Sequence, residues 1–263
     1  MFFSFYYVYY TIQFMKNETF SRNILYWGEE KQNLLTQKHV SVFGLGGVGG
    51  FCAESLVRAG IGNITIIDFD TVSESNINRQ TVALHSTIGQ KKTKLFKTRL
   101  KDINPDVNIT VIDDFYNSEE EICDLGNVDF VADAIDTMRS KIHLLTKCYK
   151  ENIPVISSMG AGNRTDPTLL YIADLKDIEN RNAPFVSNII YQLKKQGITT
   201  GITFVCSKET PSVLEKKTEK EEITTNSGKF IEFNKIIPAS TPFVASCSGI
   251  FMASYITRKL LRF

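Results

Sequence analysis

Glycines crowd the stretch VSVFGLGGVGG at positions 40–50, directly after an apolar run. Gly44, Gly46 and Gly49 fit the G-x-G-x-x-G spacing of nucleotide-binding loops that join a strand to a helix. Without Cβ atoms, the backbone N–H groups at a helix start can approach an anion, and the helix dipole favours negative charge there. Asp68 ends the next apolar run, where an acid commonly accepts a hydrogen bond from a ribose hydroxyl. The pattern predicts a nucleotide site, with tight helix–strand packing as the alternative role of the glycines.

Cations and further polar residues follow this acid. The segment DFDTVSESNINRQ contains Asp68, Asp70, Asn76, Arg79 and Gln80, and TIGQKKTK then adds Lys92. A helix N-terminus nearly neutralises the single pyrophosphate of a dinucleotide, whereas a triphosphate needs additional cations. Arg79 and Lys92 are therefore what a site for a mononucleotide triphosphate would add. Taken singly, each also fits an ordinary exposed cation.

Alternating apolar and amphipathic segments position these residues. They predict an α/β fold of the doubly wound type, with a mostly parallel Rossmann-like sheet, helices on both faces and a less regular C-terminal part. Strands are expected at 40–43, 63–69, 109–112, 129–135, 153–158, 169–174 and 202–207. Helices are expected at 47–59, 91–103, 118–125, 137–149, 186–195 and 245–261. The charged segment 209–229 is predicted to be a mobile loop or hairpin tip.

Composition restricts the class of protein. The chain has 263 residues, 43% of them hydrophobic, which is enough for a substantial core. Its 30 basic and 29 acidic residues nearly cancel, so no global charge indicates a nucleic-acid partner. Five scattered cysteines without a C-x-x-C pair argue against a disulfide framework or a structural zinc site and favour a reducing cytoplasm.

The aromatic leader, residues 1–14, is too short to span a membrane and lacks the features of a signal peptide. We expect translation to start at Met15 or the leader to be dispensable, with weak membrane anchoring as the alternative. Residues 15–263 are then predicted to form one adenylating domain. Its nucleotide-binding core would cover about 37–160 and its substrate and dimer part about 161–263.

Four ordered motifs carry a family resemblance: GLGGVGG, DFDTVSESNINRQ, GQKK and DAIDTMRSK. From about Phe20 to the C-terminus the chain resembles the ubiquitin-activating-enzyme-like (ThiF/MoeB-like) adenylating family, whose members activate a carboxylate with ATP. The motifs FSRN and SSMGAGNRTDPT and the missing zinc cysteines resemble most the branch that acts on tRNA. That branch closes a threonylcarbamoyl group, carried by an adenosine beside the anticodon, into a ring.

The resemblance implies a role for each motif residue. The phosphate loop would comprise Gly44, Gly46, Gly47 and Gly49, Asp68 would bind the ribose, and Asn76, Arg79 and Lys92 would meet the phosphates. Asp70 and Gln80 are expected among the nucleotide-binding residues. Asp136, just after a strand, would bind Mg²⁺ and also cap a helix, whereas Asp133 would bond to nearby backbone. Arg22 of FSRN would reach the triphosphate of a partner subunit, so a homodimer is expected. A monovalent cation such as K⁺ and a sulfur-transfer partner protein are left open.

Ring closure needs no nucleophile from the enzyme, since the urea group of the substituent lies next to the activated carboxyl. Cys206 and Cys247 are therefore interpreted as small buried residues. The basic helix KKTKLFKTRLK is compatible with RNA, but equally with a solvated face, so tRNA is expected from the resemblance alone. One departure is Ala183, which replaces an expected acid before Pro184 and leaves the outer substrate pocket open to question.

Three other functions remain. An activator of a ubiquitin-like or sulfur-carrier protein would share the ATP site, although the absent C-x-x-C pairs disfavour the bacterial sulfur-carrier type. An NAD-dependent oxidoreductase would share the glycine loop, but Arg79 and Lys92 disfavour it. A non-catalytic scaffold would not need Arg79, Lys92 and Asp136 together.

Overall fold

A computed structural model describes residues 18–119, 122–179, 183–212, 214–215 and 217–263. The aromatic leader and Met15 therefore lie outside the described residues. The helices are α1 (Ser21–Thr36), α2 (Gly49–Ala59), α3 (Lys92–Ile103), α4 (Met138–Lys150), α5 (Pro184–Lys195) and α6 (Pro242–Leu260). The strands are β1 (His39–Phe43), β2 (Asn63–Ile67), β3 (Asn108–Ile112), β4 (Phe130–Asp133), β5 (Val155–Ser158), β6 (Leu170–Asp174), β7 (Thr203–Ser207), β8 (Lys217–Thr224) and β9 (Phe230–Ile237).

Seven strands form the central sheet in the order β3-β2-β1-β4-β5-β7-β6. All neighbouring pairs are parallel except β6, which runs antiparallel to β7 at the edge. The strand order reverses between β1 and β4, and ligands of open α/β sheets bind at the carboxyl ends of the strands beside such a reversal. The predicted fold class is confirmed.

Two hydrophobic clusters cover opposite faces of the sheet. On one face, Val40 and Val42 of β1 pack with residues of α2, α3 and α6. On the other, Phe43 and strand residues such as Val131 pack with α4 and α5. Successive strand side chains point to opposite faces, which explains why buried strands such as FVAD carry few polar groups.

Helix α6 packs closely on the start of α2. A Cβ atom at Gly249 would lie 2.2 Å from the carbonyl oxygen of Val48, and Ala245 faces Gly47. The small residues of ASCSG therefore let the two helices approach each other. The C-terminal helix thus supports the loop that precedes α2.

The predicted helix at 118–125 is wrong: residues 118–119 and 122–125 are not helical. Short polar side chains bind local backbone there instead. Asn117 accepts from the Glu119 N–H at 2.7 Å, and Asp124 accepts from the Gly126 N–H at 2.8 Å. Such contacts offer the backbone an alternative to the helical ladder.

The segment 209–229, predicted to be a loop or hairpin tip, contains β8 and the turn of a two-stranded hairpin, β8–β9, which extends to Ile237. Its turn at 225–228 is closed by Gly228 in a left-handed conformation (φ +85°). At the turn, Asn226 donates to the carbonyl of Asp113, and Lys229 forms an ion pair with Glu119. The hairpin therefore reaches the segment that follows β3.

Within the described residues, the helices fall short of the length and hydropathy that a membrane span requires.

Candidate nucleotide-binding site

The loop at residues 44–49, called the glycine loop, joins β1 to α2 and uses its glycines in two ways. Gly44 has φ +85°, and a Cβ atom at Gly49 would lie 1.7 Å from the carbonyl oxygen of Gly44. These two positions exclude other residues because of packing within the chain. Gly46 is different, since its nearest neighbour, the amide nitrogen of Gln80, would lie 3.8 Å from a Cβ atom. Internal packing does not demand glycine there, which leaves room for a ligand.

Asp68 holds the glycine loop in place. One of its carboxylate oxygens accepts from the Leu45 N–H at 2.6 Å and the other from the Asp70 N–H at 2.8 Å. Burial raises the pKa of Asp68, the charge of Lys92 opposes this, and the charge of Asp70 adds to it. Each oxygen keeps a further lone pair, so the predicted contact with a ribose hydroxyl is compatible with these bonds.

Lys92 is a buried cation and not an ordinary surface lysine. Its side chain is 5% exposed, and its ammonium lies 2.7 Å from a carboxylate oxygen of Asp70. Its backbone N–H also bonds to the carbonyl of Asp70. The interpretation of Lys92 as a solvated residue is therefore wrong. The pair places one buried positive charge next to Asp68, beside the glycine loop.

Arg79 and Gln80 lie against the glycine loop. The Cγ atom of Arg79 would be 3.2 Å from a Cβ atom at Gly47, and Arg79 Nη1 donates to the carbonyl of Ser75 at 2.8 Å. Gln80 is buried, and its Oε1 atom accepts no hydrogen bond from the described residues. An amide with an unused acceptor beside Gly46 is suited to contact a ligand.

Asn76 has a structural task. Its side-chain oxygen accepts from the Ser73 N–H at 3.2 Å and caps the short 3₁₀ helix Glu74–Asn76. Its amide N–H groups remain for the predicted phosphate contact. The Asn76 carbonyl also accepts from the Arg79 and Gln80 N–H groups, so Asn76 fixes the turn that leads to both residues.

Asp136 lies beside Arg79 at the carboxyl edge of the sheet. Burial lowers the pKa of Arg79, and the negative charge of Asp136 opposes that shift. The backbone of the preceding residues, Ala134 and Ile135, packs against Gly44. Helix α4 is capped at Thr137 without a side-chain bond, so the expectation that Asp136 caps it is wrong.

Asp133 has the expected bond to neighbouring backbone, accepting from the Ile135 N–H at 3.0 Å. It also forms a contact that the sequence analysis missed. The ammonium of Lys141 lies 2.6 Å from Asp133 and 3.0 Å from the Ser157 hydroxyl, and all three residues are fully buried. This pair fixes the end of β4 from which residues 134–136 emerge.

Arg22 is remote from the glycine loop of its own chain. Its neighbour Asn23 donates to the carbonyls of Arg58 and Ala59, at the C-terminal end of α2. The glycine loop lies at the other end of this helix, roughly 15 Å away for eleven residues. Arg22 itself is exposed. Of the predicted site residues, it is the one that the fold of a single chain does not bring to the loop.

The buried cysteines offer little reactivity. Cys52, Cys123, Cys148 and Cys206 are buried, and burial raises the pKa of the Cys148 and Cys206 thiols to about 12. The interpretation of Cys206 is confirmed, whereas Cys247 is only partly buried. A thiolate is the nucleophilic form, so the buried thiols are poor acceptors for an acyl group.

Part of the basic helix is already paired within the chain. Lys91 lies 3.3 Å from Asp113, and Arg99 bonds to Glu54 at 2.6 Å. Lys94 and Lys97 are exposed on the same helix. Charge on this face therefore gives limited support to RNA binding.

The chain is similar to known proteins over most of its length. The model of the ThiF family matches residues 20–258. The tRNA threonylcarbamoyladenosine dehydratase of Bacillus subtilis is 42% identical over 245 residues, 92% of this chain and 94% of that protein. The solved structure of the E. coli tRNA N6-threonylcarbamoyladenosine dehydratase, TcdA, with ATP is 28% identical and has a TM-score of 0.78. The complex of that enzyme with AMP is 29% identical and has a TM-score of 0.79, and each covers 94% of this chain and 95% of the other. The chain therefore belongs to the ThiF family.

Proposed function

We propose that this chain is an ATP-dependent tRNA threonylcarbamoyladenosine dehydratase. The observation that carries the proposal is the likeness to the Bacillus subtilis dehydratase over nearly the full length of both chains. The chemistry of the site supports the same proposal, because the glycine loop and its adjacent cations suit a mononucleotide triphosphate. The related E. coli structures hold ATP and AMP, the expected substrate and product of adenylation.

In this function the glycine loop receives the phosphates of ATP, and Asp68 receives the ribose. Arg79 and Lys92 neutralise the charge that grows on the leaving pyrophosphate. The side-chain nitrogen of Asn76 donates a further hydrogen bond to the phosphates, and the unpaired Oε1 atom of Gln80 accepts one from a hydroxyl or N–H group of the nucleotide. Asp70 holds the ammonium of Lys92 in position, as their 2.7 Å contact indicates.

Asp136 is the proposed Mg²⁺ ligand. Mg²⁺ in nucleotide sites is usually bound by one or two carboxylates together with phosphate oxygens. Among the described residues, no group of three or more His, Cys, Asp and Glu side chains could hold a metal by itself. An exposed carboxylate beside Arg79 fits an ion that depends on ATP for its remaining ligands. When bound, Mg²⁺ would neutralise phosphate charge.

The reaction proceeds in two steps. A carboxylate oxygen of the threonylcarbamoyl group attacks the α-phosphorus, the bond to the β-phosphate breaks, and pyrophosphate leaves. The urea group then attacks the acyl carbon, AMP leaves with one carboxylate oxygen, and the urea loses a proton. The net change is loss of one water molecule. Closure within one substituent has a high effective concentration and needs no thiol of the enzyme.

Arg22 is proposed to complete the site of a partner subunit in a homodimer. Its remote place on its own chain supports a role in trans, by the logic of an arginine finger. A cytoplasmic location remains a prediction from the cysteines, and the family resemblance leaves a K⁺ requirement and a sulfur-transfer partner open.

The test is to incubate the purified chain with ATP, Mg²⁺ and tRNA that carries threonylcarbamoyladenosine, and to analyse the nucleosides by mass spectrometry. We expect a product that has lost one water and formation of AMP in equal amount. A protein ending in Gly-Gly, offered in parallel, tests the alternative of carrier activation. If the nucleoside stays unchanged while the Gly-Gly protein becomes adenylated, the chain is an activator of a carrier protein and not a dehydratase.

A further inference from the structure

An open cleft of about 610 Å³ lies next to Arg79. Residues of the segment 74–79 and His85 form one wall, and Ile237, Pro238 and Ser240 from the end of the hairpin form the other. Arg79 touches Gly47 with its stem and also lines the cleft. The cleft is thus continuous with the proposed phosphate site, and its volume falls within the range of small-molecule sites.

A single amide joins the two walls. Asn78 accepts from Arg79 Nη1 at 2.8 Å, and its side-chain nitrogen donates to the carbonyl of Ser240 at 2.9 Å. The hairpin end is also fixed from behind, where Asn163 and Ala239 exchange two hydrogen bonds of 2.7 and 2.8 Å. Both walls are therefore held in place before any ligand binds, which lowers the entropic cost of binding.

The lining combines three ionisable side chains, Glu74, His85 and Arg79, with polar and apolar groups. Arg79 offers a guanidinium for a carboxylate at the end nearest the phosphates. Ser75, Asn78 and Ser240 supply hydroxyl and amide groups that can pair with a urea or a hydroxyl. Ile77, Ile237 and Pro238 add apolar surface for a methyl group or the flat face of a base.

We propose that this cleft binds the carboxylate-bearing substituent of the modified adenosine, with the carboxylate at Arg79 and the nucleoside against Ile237 and Pro238. The inference rests on the proposed function and adds to it the site of the second substrate. The hairpin end then determines which acid is adenylated, while the glycine loop determines the nucleotide. Such a division requires that changes at Ile237 affect RNA use without affecting ATP affinity.

Ile236 and Ile237 provide a matched pair for the test. Ile237 lines the cleft, whereas Ile236 does not line it and is 69% exposed. Ile237→Glu puts a hydrated charge on the apolar surface proposed for the nucleoside, so the KM for modified tRNA in pyrophosphate exchange should rise at least about tenfold. The Kd for ATP without RNA should stay at the wild-type value, and Ile236→Glu should leave both values unchanged.

Ile237→Ser is a smaller change that serves if the glutamate variant does not fold, and it should raise the same KM by about threefold or more. Free threonylcarbamoyladenosine nucleoside should inhibit the wild-type reaction, and less so the Ile237→Glu variant. A folded Ile237→Glu variant with wild-type KM would overturn the assignment of the cleft. Wild-type protein without any tRNA-dependent exchange would instead overturn the proposed function.

Discussion

At the residue scale, Arg79 connects three parts of the site. Its stem packs on Gly47, its Nη1 atom bonds to Ser75 and Asn78, and its charge interacts with Asp136. Burial lowers its pKa, yet a guanidinium starts so high that it stays charged at neutral pH. A permanent, partly desolvated cation at this place can stabilise charge on a leaving pyrophosphate.

Replacing Arg79 should therefore reduce kcat strongly and change the stability of the fold only slightly. We expect Arg79→Ala to lower kcat for AMP formation by about 10²–10³-fold, as for other donors aimed at developing charge. Arg79→Lys should lie between, because it keeps the charge but loses the planar fork. Arg58→Ala, at the far end of α2, is the control. Equal kcat in Arg79→Ala and wild type would rule out this role.

Lys141 is a structural cation, and its loss should reduce stability. Lys141→Met leaves the Asp133 carboxylate buried without its counter-charge, which should lower the free energy of unfolding by about 3–5 kcal/mol. Denaturant unfolding measures this change. The exposed Lys150 near the end of the same helix is the control, since Lys150→Met should change stability by less than about 0.5 kcal/mol. A small effect of both substitutions would mean that the Asp133–Lys141 pair is not coupled to folding.

At the element scale, the glycine loop is held between β1, α2, α6 and the segment after β4. Gly49 must be glycine because of the Gly44 carbonyl, and Gly249 of α6 lets that helix approach Val48. Gly46 has no such neighbour. Two glycines of one motif therefore serve different ends, one for packing within the chain and one for approach of a ligand.

Alanine substitutions should separate these ends. Gly49→Ala would place its Cβ atom 1.7 Å from a carbonyl oxygen, so we expect a clear fall in Tm together with loss of ATP binding. Gly46→Ala should keep Tm close to the wild-type value and still weaken ATP binding by about tenfold, because the methyl group occupies ligand space. Differential scanning calorimetry and ATP titration distinguish the two. Equal losses of Tm would contradict the division.

The sequence predicted the elements of the sheet but not every element around it. Alternating apolar strands and amphipathic helices have periods that can be read locally, and the seven central strands were predicted in this way. The helix predicted at 118–125 does not form because the side chains of Asn117 and Asp124 accept hydrogen bonds from the local backbone. Lys141 could not be recognised either, since a lysine on an amphipathic helix ordinarily faces solvent. The cleft could not be predicted because Ile237 and Arg79 are far apart in the sequence and only the tertiary fold makes them line the same cleft.

At the scale of the whole molecule, one chain does not bring every predicted group to the glycine loop. Arg22 lies next to the C-terminal end of α2, while the loop lies at its N-terminal end. In the proposed homodimer, a second copy supplies the missing cation. Activity would then depend on association, as in other sites completed by a partner's arginine.

Mixed dimers test this dependence. Arg22→Ala and Arg79→Ala are each expected to be nearly inactive alone. Co-expressed in equal amounts, they should regain about a quarter of wild-type activity, because random pairing leaves one intact site in half of the dimers. Mixtures that stay as inactive as the separate variants would show that Arg22 does not act across subunits.

Acyl adenylation is the central claim, and an oxygen label follows it directly. The carboxylate of the threonylcarbamoyl group on tRNA is prepared with heavy oxygen and offered to the wild-type chain with ATP and Mg²⁺. Attack on the α-phosphorus followed by ring closure predicts AMP that carries one heavy oxygen and a cyclised nucleoside that has lost one. Unlabelled AMP, or heavy oxygen in inorganic phosphate, would contradict adenylation of the carboxylate.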